Sequence, residues 1–147
     1  MDLGISVKAV VEAKFGSYLN TLSPEEKQEK LNSYIEAAGA SLEGTIAEGE
    51  ALADSVQNTC TSIVTAVPTT IAQVASIAAM IDPTAKAAQL TTIIQSISNL
   101  KDQLKRASSQ VESLSNILVQ LSMTNPIVDT LKTAISTASA LLDTIPV

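Results

Sequence analysis

The sequence contains no histidine, no tryptophan and a single cysteine. Each absence removes a class of chemistry. Without His there is no general base of the commonest kind, no Ser-His or Cys-His nucleophile pair, and no zinc site of the usual Cys/His type. Cys60 has no intramolecular partner, so an internal disulfide is excluded and the redox compartment stays open. No Gly-x-Gly-x-x-Gly or Walker loop occurs; Gly39, Gly44 and Gly49 have the wrong spacing and a helical context. No Asn-x-Ser/Thr acceptor is present, and Met1-Asp2-Leu3-Gly4 lacks the basic and apolar regions of a signal peptide. The expectation is a chain without cofactor or metal, not an enzyme, made and used without classical secretion.

Aromatic residues are almost as scarce. Phe15, Tyr18 and Tyr34 are the only rings, all near the N-terminus. The apolar mass is therefore Ala, Ile, Leu and Val. Such residues pack densely but lack the flat rings that line sites for sugars, bases and drug-like ligands. Charge is also scarce, at 16% of residues, and it is unevenly placed. Residues 1–54 hold four lysines against ten acids, 55–81 hold no charge, and 82–147 hold five of each sign. An acidic N-terminal part with no basic stripe argues against nucleic acid and against docking on anionic lipid. It fits either a docking face for a basic partner or an ordinary solvated helix surface.

What is present is helical periodicity. From Leu90 to Leu121, alternating steps of three and four residues reach Leu90, Ile93, Ile97, Leu100, Leu104, Ala107, Val111, Leu114, Leu118 and Leu121, all apolar. Gln95, Lys101, Asp102, Lys105, Arg106 and Glu112 lie between them. A heptad seam sustained this long predicts one helix that lays a narrow apolar stripe against other helices. Leu90, Ile93, Ile97, Leu100, Leu104, Val111, Leu114, Leu118 and Leu121 are accordingly the candidate interaction residues.

Helix starts are marked three times by a capping residue followed by proline: Ser23-Pro24, Asp82-Pro83 and Asn125-Pro126. The cap side chain takes up a free N–H, and proline at the first helical position loses no hydrogen bond. Glu26 can complete a capping box with Ser23, and Asp129 sits where the helix dipole favours a negative charge. The sequence predicts a short helix over 5–19, a long helix over 24–66, a helix over 69–81, a long helix over 83–122 and a C-terminal helix over 126–144. Pro68 is expected to kink or break the chain. Gly39, Gly44 and Gly49 each cost about 1 kcal/mol against Ala in a helix. They mark either a close helix crossing or hinge, or a weak helix that splits. No alternating strand pattern of useful length occurs.

The fold expected is all-α: one domain, an elongated up-and-down bundle of about five helices, two of them long, with coiled-coil-like heptad packing. Helices of 38 residues or more run to about 60 Å, too long for a compact ball of this size. Residues 55–81 form 27 uncharged residues in a row. Thr65, Pro68, Thr69, Thr70, Gln73 and Ser76 interrupt the apolar run, and no Lys or Arg cluster flanks it. A buried helical hairpin is expected there and membrane insertion is the alternative. Glu36, Glu43 and Glu50 recur every seven residues, which reads as a solvated stripe, since a di-metal carboxylate bundle would need His. Cys60 reads as a small core residue.

This texture — Thr/Ser/Ala/Ile-rich helices, few rings, no His and proline-started helices — resembles the small helical structural proteins of tailed-phage particles. The resemblance implies a non-enzymatic structural or assembly protein of a large multi-chain particle, virion or cytoplasmic in location. Its partners would be copies of itself or other structural proteins, with no nucleic acid. The alternatives are a membrane-active or pore-forming helical effector using 55–81, and a helical adaptor or chaperone.

Overall fold

The computed structural model describes residues 2–146. The chain is all-α, with four helices in the order α1 (Val7–Leu19), α2 (Pro24–Ala78), α3 (Pro83–Gln120) and α4 (Ile127–Asp143). No strand occurs among the described residues.

The cap-plus-proline devices work as their chemistry dictates. Ser23 Oγ accepts from Glu26 N at 3.3 Å, Asp82 Oδ1 from Thr84 N at 3.0 Å and Asn125 Oδ1 from Ile127 N at 2.9 Å. A fourth cap has no proline to announce it. Ser6 Oγ accepts from Ala9 N at 3.1 Å, so α1 begins at Val7 and not at Ile5. The end of α3 is a Schellman turn. Ser122 takes a left-handed φ of 55°, Met123 N donates to the Leu118 carbonyl and Ser122 N to that of Val119.

The five-helix expectation fails at one place. The helices expected over 24–66 and 69–81 are one helix of 55 residues, Pro24–Ala78, broken neither at the glycines nor at Pro68 and ending three residues short of Ile81. Pro68 cannot donate to the Val64 carbonyl, but both residues are exposed, so water can take the missing donor's place. On the opposite side the helix is pinned. The positions Ile35, Gly39, Leu42, Ile46, Gly49, Ala53, Val56, Cys60, Ile63, Val67, Thr70, Val74 and Ile77 follow alternating steps of four and three, and all are buried or half-buried. The register passes through Pro68 unshifted, and the buried residues on either side of it outweigh the local penalty. Gly39 and Gly49 occupy inward positions in the same register, whereas Gly44 is exposed with nothing within 4 Å of where its Cβ would stand.

The chain divides into two compact units. Unit 1 comprises residues 1–54 and 112–128. It packs α1, the first part of α2 and the end of α3 around two apolar clusters. Val10, Ile46, Ile117 and Leu121 form one; Val11, Leu19 and Leu31 form the other. At Gly49 the α3 residues come close: an added Cβ would stand 3.3 Å from Leu114 Cδ1 and 3.5 Å from Ile117 Cγ2. Phe15 and Tyr34 stack with ring centroids 4.6 Å apart. Asn125 Nδ2 donates to the Leu3 carbonyl at 2.7 Å and ties down the segment before α1.

Unit 2 comprises residues 55–111 and 129–147. The second part of α2, the first part of α3 and α4 share one cluster: Ile63, Val67, Val74 and Ile77 meet Ile93, Ile97 and Leu104, closed by Ala138, Leu142 and Ile145.

Candidate interaction surface

The heptad residues of α3 lie in the chain's own core. In unit 2, Ile93, Ile97 and Leu104 are buried in the cluster, and Leu90 and Leu100 pack half-buried against it. Ala107 and Val111 are buried further along. In unit 1, Leu114, Leu118 and Leu121 are buried. The stripe is consumed within the chain, and a surface for another molecule has to be sought on the residues that remain outside.

Those residues are unusual in unit 2. From Ser55 to Leu100 the only charged residues are Asp82 and Lys86, both next to the α2–α3 turn. The inward half of this hairpin is apolar, but the outward half is Thr, Ser, Ala, Gln and Asn. The exposed large apolar residues here are Val64, Ile94 and Ile81, the last 95% exposed. Many of the hydroxyls are already engaged. Thr59, Thr65, Thr91, Thr92 and Ser96 each donate to the carbonyl four residues back, at 2.8 to 3.2 Å. A hydroxyl held this way has its donor occupied and meets water or another molecule as an acceptor.

A groove of about 470 Å³ runs between α2 and α3 on this face. Thr69, Ala72, Gln73 and Ser76 form one wall, Gln89, Thr92 and Ser96 the other, with Ile77 and Ile93 also lining it. On the same flank, Ser55 and Gln110 join the two helices by a 3.1 Å hydrogen bond from Ser55 Oγ to Gln110 Oε1. A different flank of α3 faces α4. There Lys101, Leu104, Lys105 and Ser108 line a second groove of about 370 Å³ with Ile135, Ser139, Leu142 and Asp143.

The remaining candidates are placed as follows. Cys60 is buried, 4% exposed, and loss of solvent raises its thiol above the ordinary range, which keeps it protonated and unreactive at neutral pH. Glu36 and Glu43 are exposed and Glu50 is half-buried on α2. Among the described residues no group of three or more Cys, Asp or Glu side chains is placed to hold a metal ion. By length and composition, α2 contains an 18-residue stretch apolar enough to cross a membrane, with a mean hydropathy of 1.4 and a third of it buried. Sequence reasoning found the charge gap at 55–81 but stopped at the turn. The signal for its continuation was legible: after Lys86 the next charged residue is Lys101.

No protein family, curated protein or solved structure matches the chain.

Proposed function

We propose that this chain is a structural assembly protein that catalyses nothing and works as one copy among several in a large multi-chain particle. A tailed-phage virion is the setting its composition points to. In this reading the helices form an up-and-down bundle with coiled-coil-like heptad packing, and the seam holds the subunit together while the outward face of unit 2 meets other chains. The observation that carries the reading is that face: a helical hairpin with two charged residues between Ser55 and Leu100 and with Val64, Ile81 and Ile94 exposed. Depletion of charge over so long a surface, with large apolar side chains left exposed on it, supports an interaction site there rather than plain solvent-facing surface. The partners would be further copies or other structural proteins, with no nucleic acid and no cofactor.

Sedimentation of the purified full chain, and of the native particle or complex it comes from, tests this. Fixed stoichiometry with itself or other chains is expected. A stable monomer at micromolar concentration, with no accompanying chain in its native setting, would refute it.

The apolar stretch in α2 favours one second reading, a membrane-active helical protein. Leakage of dye from neutral liposomes at nanomolar protein would put that reading first.

A further inference from the structure

The chemistry of the open groove between α2 and α3 in unit 2 limits what it can hold. The groove lacks charge on both walls: Thr69, Ala72, Gln73 and Ser76 face Gln89, Thr92 and Ser96. A basic partner would gain nothing here. It would be drawn to unit 1, which holds eleven acids to four lysines, whereas unit 2 holds four acids to five basic residues. A bilayer is a poor match as well. The amides of Gln73 and Gln89 would enter hydrocarbon without partners.

A second copy of the chain meets neither obstacle. Two copies with a net charge of −6 each repel one another over unit 1, and an uncharged face lets them approach without that repulsion. The two wall amides, Gln73 and Gln89, are also self-complementary. An amide both donates and accepts, so each can pair with its own symmetry mate, which a carboxylate or an ammonium cannot do. A two-fold contact requires just that property, because the same patch is presented from both sides. Small residues in the walls, Ala72, Ser76 and Ser96, let two helical pairs come close. The hairpin is long enough to supply the about 20–30 residues per side of a standard interface.

We propose that the α2–α3 groove is the contact between two copies of this chain, packed face to face through the hairpins of unit 2. This rests on the assembly reading and names its contact face.

The test is sedimentation of the full chain over a range of micromolar concentrations, for the natural sequence, Ala72→Glu and Ala140→Glu. Ala72 lines the groove, and Ala140 is exposed on α4 outside it. The natural chain and Ala140→Glu are expected to dimerise alike. Ala72→Glu places two like charges across the contact and should weaken the dimer at least about tenfold. Ser76→Cys and Ser96→Cys, each oxidised mildly at the same concentrations, keep the proposal testable where Ala72→Glu fails to fold. A disulfide-linked dimer is expected from at least one of them, and none from Ala140→Cys. Oligomers that ignore Ala72→Glu, with no cross-link from either groove cysteine, overturn the groove contact and leave the assembly reading standing. A natural chain that stays monomeric throughout overturns the contact, and the assembly reading falls with it only if the native setting holds no other chain.

Discussion

Gly49 is the position where packing and helix propensity pull hardest against each other. Replacing a helical glycine by alanine removes backbone freedom from the unfolded chain and stabilises by about 1 kcal/mol if the new methyl finds space. At Gly44 it does: the site is exposed and nothing lies within 4 Å. Gly44→Ala should therefore gain about 1 kcal/mol. At Gly49 the same methyl would sit 3.3 Å from Leu114 Cδ1, 3.5 Å from Ile117 Cγ2 and 3.7 Å from Leu3 Cδ1. Leu114 is fully buried and has little room to retreat. Overpacking a tight core costs about 1–3 kcal/mol, which cancels or reverses the propensity gain. Gly49→Ala is thus expected at least about 1 kcal/mol less stable than Gly44→Ala, and Gly49→Val, with two further carbons, lower again. Urea denaturation followed by circular dichroism at 222 nm gives the ranking. If Gly49→Ala matched Gly44→Ala, α3 would not pack this closely on α2 and the account of the glycines would be wrong.

Pro68→Ala restores the donor to the Val64 carbonyl on an exposed helix face and should raise stability by about 1–3 kcal/mol; a loss in denaturant would mean the proline shapes the helix in a way the core needs. Leu104→Ala removes a buried side chain of the unit 2 cluster and should cost about 2–5 kcal/mol, while Gln103→Ala on the exposed face should change stability by less than about 0.5 kcal/mol. Equal effects would contradict the placement of the seam. For Cys60 the raised thiol fixes the sign of a pH effect. The folded protein holds the proton where the unfolded chain releases it, so this contribution is complete below the ordinary thiol value of 9.0 and fades as pH rises past it. The stability of the natural chain should fall relative to Cys60→Ala across that range in paired melts, and parallel curves would remove the burial argument.

The helix starts were legible because capping is local. Three residues suffice to write Asp82-Pro83-Thr84, and nothing distant has to agree. The heptad stripe of α3 was legible because every position on it is apolar. In α2 the same register was hidden by its occupants. Gly39, Gly49 and Thr70 hold inward positions that hydrophobicity alone does not pick out, and Pro68 invites a break just where the steps Val67, Thr70, Val74 run on regardless. A local penalty of a few kcal/mol is visible in sequence; the packing that overrides it lies in residues far along the chain. The candidate surface was half legible for a related reason. Lack of charge shows directly, but only the structure separates the inward apolar half of 55–81 from its outward hydroxyl and amide half, and only it places Thr92 and Ser96 across the groove from Thr69 and Ser76.

The three rings have an optical consequence. Phe15, Tyr18 and Tyr34 all belong to unit 1, with Phe15 stacked on Tyr34, and no ring lies in unit 2. Tyrosine emission and near-ultraviolet dichroism therefore watch unit 1 alone, while far-ultraviolet dichroism watches the helices of both. The natural chain thus carries its own two-channel readout without any introduced label. Superimposable curves in the two channels identify a single cooperative transition, and separated curves resolve the melting of unit 2 as the signal that the tyrosines fail to see.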